Sequence, residues 1–189
     1  KTVLSSPESS RFTHALRGMH QAIAVGVGTV LADNPRLTCR GLQAPSPIPI
    51  IFDRRLRTPP DAGLFSLHPI VYILTSPSAA GAAEGRYPRS STVILPILPE
   101  RTSGGELSGS LRTLKETAGI ESLMVEGGAR LFGSFIESGT WDLAAITIAP
   151  RFLGGYQIGE ALDHTLRIDR VEKLGEDMLL FGTPEGEQP

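Results

Sequence analysis

The chain has 189 residues, of which 18 are Lys or Arg and 20 are Asp or Glu, so its net charge is −2. A charge this close to neutral argues against a general nucleic-acid or membrane-surface binder, because such proteins carry a basic excess. The single cysteine excludes an internal disulfide framework and a cysteine-cluster zinc site, and no apolar run approaches the ~18 residues of a transmembrane helix. We expect one globular domain over residues 1–189, with a frayed polar tail at 183–189.

Apolar runs alternate with helical patterns along the chain. Ser6 as N-cap and Pro7 in the first turn open a helix that should reach about Met19. Further strands are predicted at 22–25, 48–52, 70–74, 92–98, 122–125 and 143–148, and further helices at 26–33, 79–84, 107–118 and 129–138. Two late strands, at 167–171 and 178–181, have no long helix between them and should pair antiparallel. The pattern predicts an α/β fold, with a mostly parallel central sheet, helices on both faces and an antiparallel C-terminal strand pair.

Two glycine turns follow predicted strands, at the sheet edge where open α/β folds bind ligands. Gly26 and Gly28 follow the strand at 22–25, and Gly127 and Gly128 follow the strand at 122–125. Glycine lets the backbone approach a ligand closely, and a helix N-terminus favours an anion such as pyrophosphate. Either turn alone could serve only to redirect the chain. Two such turns in one short chain favour a dinucleotide site.

A Rossmann domain is the first alternative for these turns. The first Gly-x-Gly follows a strand, and Asp53 closes the next strand, roughly where a ribose-binding acid would lie. However, Leu31 occupies the third glycine position. The Asn34-Pro35 pair also leaves too little helix for the crossover between parallel strands. The pattern therefore gives little support to a Rossmann fold.

Polar residues border both glycine turns. Thr29 and Asp33 lie four positions apart, hence on one face of the short helix, as ligand contacts or as capping groups. Glu126 ends an apolar strand, where it could contact a ligand or pair structurally with an arginine. Arg17 and Arg40 fall near the same sheet end, as anion-binding or solvated side chains. The four histidines have no metal-ligand spacing, and we expect no metal site.

The segment AIAVGVGTVLADNPRLTCR at 22–40 resembles the signature of the riboflavin-biosynthesis reductases. This family comprises the reductase half of the bacterial bifunctional deaminase–reductase and stand-alone archaeal and fungal relatives. The family's preceding helix is matched by SPE at 6–8 and LR at 16–17, its second motif by VEGGARL at 125–131, and its third by APRFLGG at 149–155. The resemblance covers about residues 2–182. It implies a dihydrofolate-reductase-like fold and NADPH-dependent reduction of the ribosylamino side chain of a (di)aminopyrimidinone 5′-phosphate to the ribitylamino form.

The resemblance also implies roles for individual residues. Cofactor contacts fall at Thr29, Asp33, Arg54, Gly127, Gly128, Ala129, Arg130, Leu131, Phe132, Gly133 and Ser134. Substrate contacts fall at Arg17, Leu37, Arg40 and Glu126. The two arginines suit a sugar phosphate, because a guanidinium group binds phosphate oxygens bidentately. The resemblance assigns no catalytic side chain, and the sequence does not show which group delivers the proton for ribose ring opening.

One departure from the family pattern leaves alternatives open. The family normally opens with a strand that carries a Ser-Leu-Asp-Gly-type motif, and these 189 residues lack it. A dihydrofolate-reductase-like NADPH enzyme with another substrate, or a non-catalytic dimerisation domain, therefore remains an alternative. The deaminase's zinc motifs are also absent here, so the sequence does not separate the deaminated substrate from its 2,5-diamino form.

The expected partners follow from the same resemblance. We expect a cytoplasmic enzyme that takes a phosphorylated pyrimidine and binds neither nucleic acid nor membrane. Family members pair through their sheets, so we also expect a homodimer. The aliphatic segments 143–148 and 178–181 are candidate interface strands, with packing in the protein core as the alternative.

Overall fold

The computed structural model describes residues 5–97, 105–151 and 165–185. Its helices are α1 (Pro7–Met19), α2 (Val27–Asp33), α3 (Leu64–Leu67), α4 (Pro77–Ala80), α5 (Gly105–Ala118) and α6 (Ala129–Glu137). Its strands are β1 (Ala22–Gly26), β2 (Ile48–Phe52), β3 (Val71–Thr75), β4 (Thr92–Pro96), β5 (Leu123–Val125), β6 (Ala144–Ile148), β7 (Leu166–Leu174) and β8 (Asp177–Pro184). The short helix α3 is the one element that the sequence patterns did not indicate.

The first five strands form a parallel sheet in the order β4-β3-β2-β1-β5. Successive residues of β1 point to opposite faces, so Ile23 belongs to one hydrophobic core and Ala24 to the other. Val30 of α2 packs into the first core, and Leu114 of α5 and Phe135 of α6 pack into the second. Both faces are covered by helices, which explains why β1 and β3 are apolar along nearly their whole length. The predicted α/β class and parallel sheet are confirmed.

The remaining strands form a second, antiparallel sheet in the order β6-β8-β7. The predicted pairing of the two late strands is confirmed, and β6 joins them as a third member. Both late strands are longer than predicted: the charged residues Glu172 and Lys173 continue β7 towards the turn at Gly175, and β8 runs from Asp177 to Pro184. β8 reaches Pro184, so strand pairing extends into the segment 183–189 that we expected to fray. Residues 186–189 lie outside the described part of the chain.

Helix α1 joins the second sheet to the first. Ser6 caps α1, as predicted, by accepting a hydrogen bond from the Ser9 amide at 3.2 Å. The Asp177 carboxylate accepts hydrogen bonds from the Ser6 amide (2.7 Å) and the Ser9 hydroxyl (2.6 Å), and these bonds hold the pKa of Asp177 below its ordinary value. The Phe12 ring meets Phe181 of β8 edge-on, with ring centroids 5.8 Å apart. These contacts fix the direction in which α1 carries Arg17 towards the parallel sheet.

The helices of the described ranges also bear on membrane insertion. None of them combines the length and the apolar character that crossing a bilayer requires.

Candidate functional site

The two glycine turns lie against each other at the carboxyl end of the parallel sheet. β1 and β5 are neighbours, so the turn after each strand comes to the same edge. A Cβ placed on Gly128 would lie 3.2 Å from the Thr29 hydroxyl oxygen and 3.8 Å from the Gly26 amide nitrogen. Gly127 and Gly128 have φ angles of 79° and 88°, which side chains of L-residues rarely adopt. The sequence predicts both turns at this edge of the sheet, and the structure brings them into contact there. The two turns together are called here the glycine cradle.

Main-chain donors border this cradle. Gly128 is the N-cap of α6 and Gly26 the N-cap of α2, and neither helix start has a side-chain cap. The first amide groups of α6 therefore lack the hydrogen bonds that a capping side chain would supply. Amide groups of this kind bind phosphate oxygens. The Cβ positions of Gly127 and Gly128 point at Thr29, so glycine is needed here for the close contact between the two turns. The uncapped amide groups at the start of α6 fit the pyrophosphate of a dinucleotide.

Thr29 and Asp33 occupy one face of α2, as their spacing predicted. The Thr29 hydroxyl is the side-chain group nearest to the Gly128 Cβ position, which brings the two turns into contact. Asp33 is exposed one turn further along α2. In α6, Leu131 is buried in the second core, and the Ser134 hydroxyl donates to the Arg130 carbonyl at 3.0 Å. Only the first turn of α6 therefore presents its main chain towards the cradle.

A cationic cavity of about 250 Å³ lies beyond the carboxyl end of β2, lined by Asp53, Arg54, Arg55, Arg57 and Arg130. The Asp53 carboxylate is buried and accepts hydrogen bonds from the Thr58 amide (2.6 Å) and hydroxyl (2.7 Å) through Oδ2. These bonds shape the turn that carries the arginines, and Leu56 within it adopts a φ of 50°. Asp53 thus holds the turn, which is not the ribose-binding role of the Rossmann alternative. The residue-by-residue prediction named Arg54 and Arg130 but missed Arg55 and Arg57, which the cluster of arginines after a strand could have indicated.

Arg17 and Glu126 form an ion pair, and this was one of the two roles open to Glu126. Arg17 Nε and Nη2 donate to Oε2 of Glu126 at 3.0 and 2.5 Å, and Nη1 donates to the Thr38 carbonyl at 3.0 Å. The two side chains are 14% and 25% exposed. Among the described residues, none gives Oε1 of Glu126 a hydrogen bond. Glu126 therefore uses one oxygen for Arg17, and a substrate contact of the other oxygen stays a prediction.

The loop from Asn34 to Arg40 brings two further predicted residues to this end of the sheet. Leu37 is 2% exposed and packs in the first core with a φ of 52°, so it anchors the loop. A contact between Leu37 and substrate stays a prediction. Arg40 is exposed, and its charge acts on His14 together with the charges of Arg17 and Glu126. Three of the four predicted substrate residues, Arg17, Arg40 and Glu126, thus lie close enough to His14 for their charges to act on its pKa.

The third motif and the question of a metal site remain to be placed. Residues 152–155 of the third motif are not part of the described chain. Within residues 5–97, 105–151 and 165–185, no group of three His, Cys, Asp or Glu side chains could hold a metal ion.

Comparison with known proteins identifies the family. The family model described as the RibD C-terminal domain matches residues 1–180. This chain belongs to that family. It is 33% identical over 186 residues to riboflavin biosynthesis protein RibD of Aquifex aeolicus, covering 94% of this chain and 50% of that protein. It is also 33% identical over 199 residues to the 2,5-diamino-6-ribosylamino-4(3H)-pyrimidinone 5′-phosphate reductase of Methanothermobacter thermautotrophicus, covering 97% of this chain and 88% of that protein. The chain thus spans about half the length of the bacterial RibD relative and most of the archaeal reductase.

Solved structures show the same architecture. Acinetobacter baumannii RibD superposes with a TM-score of 0.80 at 23% identity, covering 97% of this chain and 52% of that one, and shows the fold alone. Riboflavin biosynthesis reductase Rib7 of Saccharomyces cerevisiae has a TM-score of 0.73 at 27% identity, covering 94% of this chain and 81% of that one. The predicted family resemblance and fold are confirmed. Membership of this reductase family is consistent with a nicotinamide cofactor.

The cradle predicts that Gly128→Ala weakens cofactor binding beyond its effect on stability. At this φ a Cβ adds backbone strain of about 1–3 kcal/mol and also points at Thr29. We expect at least about a tenfold loss of affinity in a calorimetric titration with NADPH as the probe.

Gly139→Ala is the matched control. Gly139 also has a positive φ, 65°, but open space around its Cβ position. Its substitution should lower the melting temperature and leave NADPH affinity unchanged. A folded Gly128→Ala protein with normal affinity would contradict the assignment of the cradle.

Proposed function

We propose that this domain reduces the ribosylamino side chain of a (di)aminopyrimidinone 5′-phosphate to the ribitylamino form, with NADPH as the reductant. The observation that carries this proposal is the meeting, at one sheet edge, of a glycine cradle and a guanidinium–carboxylate cluster. Relatives named as reductases of 2,5-diamino-6-ribosylamino-4(3H)-pyrimidinone 5′-phosphate match 97% and 92% of this chain. The chemistry of both parts of the edge fits such a substrate and cofactor.

The cofactor end is built from main chain. The Gly127-Gly128 turn lets the start of α6 approach a pyrophosphate, and Thr29 adds a hydroxyl at the contact between the two turns. A bound nicotinamide supplies the hydride for C1′ of the substrate. The protein's part is to hold the reacting atoms in line and to bind the charged groups at either end.

The substrate end is built from side chains. Arg17 is held by Glu126 and by the Thr38 carbonyl, so its guanidinium is fixed before a ligand arrives. Arg40 is exposed nearby and supplies a second cation for a sugar phosphate. Oε1 of Glu126 can accept a hydrogen bond from an N–H or O–H group of the pyrimidine or the ribitylamino chain. No described residue is assigned to the proton transfer that opens the ribose ring.

The assay that tests this function follows NADPH oxidation with the phosphorylated ribosylaminopyrimidinone and with its dephosphorylated form. We expect oxidation that depends on the substrate, with kcat/KM at least about tenfold lower without the phosphate, because a charge-assisted contact is lost. Equal rates with both compounds would favour a reductase of a different substrate. Cofactor binding without any turnover would favour a non-catalytic domain.

We also propose that the cationic cavity binds the 2′-phosphate of NADPH. Arg54 lines it, and the Arg54 carbonyl accepts a hydrogen bond from the Ser76 amide at 3.2 Å, which brings the loop at 75–78 beside the arginines. Ser76 and Ser78 have their hydroxyl oxygens 3.1 Å apart in this loop. Guanidinium and hydroxyl donors together suit a phosphate dianion.

The cavity predicts a preference for NADPH over NADH. Arg54→Gln should lower NADPH affinity by about tenfold to a hundredfold and leave NADH affinity unchanged, since one charged contact contributes about 1.5–3 kcal/mol. Arg89→Gln is the control, because Arg89 is exposed and, within the described part of the chain, forms an ion pair only with the exposed Glu84, at 3.4 Å. Equal binding of NADPH and NADH by the unaltered protein would refute this assignment.

We further propose a homodimer formed through the outer face of the second sheet. Ten large hydrophobic residues are exposed in the described part of the chain, and strand register places five of them on this one face: Ile146, Ile148, Ile168, Val171 and Met178. A concentrated apolar face of this kind is typical of an interface. The predicted interface strands need refinement, because Leu179 and Phe181 are buried and β7 contributes two residues that were not anticipated.

The dimer prediction is tested by light scattering at micromolar concentration. The unaltered protein should have the mass of two chains, and Val171→Glu should have the mass of one. Thr147→Glu places the same charge on the other face of the sheet and should remain dimeric. A monomeric unaltered protein would refute the proposal.

The two described sheets have free strand edges where the family's usual opening strand could pair. Among the described strands, β5 pairs only with β1, and β6 pairs only with β8. Each therefore has an edge without a partner in the described chain. We propose that one reductase domain spans residues 1–189 and that these edges are where the family's usual opening strand pairs.

A further inference from the structure

The loop that carries Arg40 has an unusual backbone. Within residues 34–40, called here the substrate loop, Asn34 and Leu37 have φ angles of 41° and 52°. Left-handed backbone at residues other than glycine is unfavourable and persists only where the surroundings impose it. The contacts that impose it should therefore be identifiable, and two of them come from buried histidines.

His14 holds the C-terminal end of the substrate loop. It lies on α1, is 8% exposed, and its Nδ1 lies 3.3 Å from the Arg40 main-chain nitrogen. An amide N–H donates, so Nδ1 must be the unprotonated nitrogen of the ring. The His14 carbonyl also accepts a hydrogen bond from the Cys39 thiol at 3.2 Å. His14 thus contacts two consecutive residues of the loop.

His68 holds the other side of the loop. It is 5% exposed, and its Nε2 lies 2.7 Å from the Arg36 carbonyl oxygen. A carbonyl only accepts, so Nε2 of His68 carries the proton. One buried imidazole therefore accepts from the loop after Leu37, and the other donates to it before Leu37. A buried polar group left without its partner costs more than the bond itself contributes, so both bonds favour one loop conformation.

We propose that His14 and His68 are positioning residues that hold the substrate loop in the shape that presents Arg40 to the phosphate of the substrate. The identity of that substrate rests on the proposed function above. The two imidazole contacts that hold the loop do not depend on the proposed function. The two histidines lie 54 positions apart in the chain and contact the loop from different elements.

This arrangement makes the loop sensitive to pH through His14. The charged groups that face His14 are Arg17 from α1, Arg40 from the loop and Glu126 from the end of β5. Burial lowers the pKa of His14 below its ordinary 6.5, and Arg17 and Arg40 lower it further, while the Thr38 carbonyl and Glu126 act in the opposite direction. The neutral ring is therefore the form that fits the folded loop.

The sign of the pH effect follows from this. An unfolded chain or a released loop binds a proton at His14 more readily than the folded loop does. Lowering the pH through and below 6.5 therefore weakens the folded loop, because a protonated Nδ1 no longer accepts from Arg40. Affinity for a ligand whose phosphate contacts Arg40 should fall over this pH range, whereas affinity for the cofactor should not.

The decisive variants are His14→Asn and His14→Leu, which have similar shapes. The Asn Oδ1 can accept from the Arg40 amide as Nδ1 does, but it does not titrate, whereas Leu offers no acceptor. With ribose 5-phosphate as the probe, we expect His14→Leu to bind about fivefold to tenfold more weakly than the unaltered protein at pH 7. This difference should shrink as the pH falls and His14 of the unaltered protein is protonated. His14→Asn should bind as the unaltered protein does at pH 7. Between pH 7 and 5.5 it should lose less affinity than the unaltered protein, because the phosphate of the probe takes up a proton near pH 6 in both cases but Asn does not titrate. In turnover assays the same difference should appear in KM and not in kcat.

His20→Asn is the matched control on the same helix. The His20 ring lies 2.7 Å from the Leu16 carbonyl of α1 itself and does not contact the loop, so its substitution should leave the pH profile unchanged. Equal ribose 5-phosphate affinity in the unaltered and His14→Leu proteins at pH 7 would overturn the proposal.

An NMR titration separates this proposal from the proposed function. The Arg40 amide resonance should shift with the protonation of His14 and should not shift in His14→Asn. If it does so in a chain that fails to reduce the pyrimidine, the proposed function is wrong and the positioning role stands. An Arg40 amide that ignores His14 protonation would overturn the positioning role even in an active enzyme.

Discussion

The ion pair between Arg17 and Glu126 connects the three segments on which the site depends. Arg17 comes from α1, Glu126 from the end of β5, and the Thr38 carbonyl that shares the guanidinium comes from the substrate loop. Both side chains are mostly shielded from water, so the loss of one leaves the other charge poorly solvated. This cost couples the position of α1 to that of the loop. It also means that the guanidinium of Arg17, which we propose binds substrate, is fixed in place before a ligand arrives.

The parallel sheet explains why cofactor and substrate groups share one edge. β1 and β5 are neighbours, so their carboxyl ends bring the two glycine turns together, and Glu126 directly precedes the second turn. The main chain after Glu126 forms the cradle, while the side chain of Glu126 faces Arg17. One turn therefore places the backbone proposed to bind phosphate beside the carboxylate proposed to bind substrate. Helix α1 reaches this edge because Asp177 and Phe181 of the second sheet hold its first turns.

Local sequence patterns predicted the elements whose formation depends on neighbouring residues. Apolar runs gave the parallel strands, Ser6 and Pro7 gave the start of α1, and Asn34 before Pro35 gave the end of α2. The two glycine turns were recognisable because glycine after a buried strand allows a backbone that other residues avoid. The resemblance to the family motifs then predicted which residues around those turns bind cofactor and substrate, and these assignments stay predictions.

Features that depend on distant contacts could not be predicted in this way. The antiparallel pairing of β6 with β8 joins residues that are at least 30 positions apart in the chain, such as Ile148 and Met178. The roles of His14 and His68 depend on main-chain atoms of a loop 26 and 32 residues away. A single histidine in a sequence does not indicate which main-chain group it will contact, and the spacing of the histidines carries no such information. The left-handed backbone of Leu37 is likewise imposed by burial and not by the preference of leucine.

Glu126→Gln tests most directly the claim that this edge binds substrate beside cofactor. The amide keeps the shape of the carboxylate but removes its charge, so the contact with Arg17 is weakened and the group offered to the substrate is altered. The measurement is turnover per folded molecule at saturating NADPH, together with cofactor affinity and melting temperature. We expect at least about a tenfold fall in turnover with cofactor affinity unchanged. A lower melting temperature with turnover per folded molecule unchanged would contradict it, because Glu126 would then be only a structural partner of Arg17.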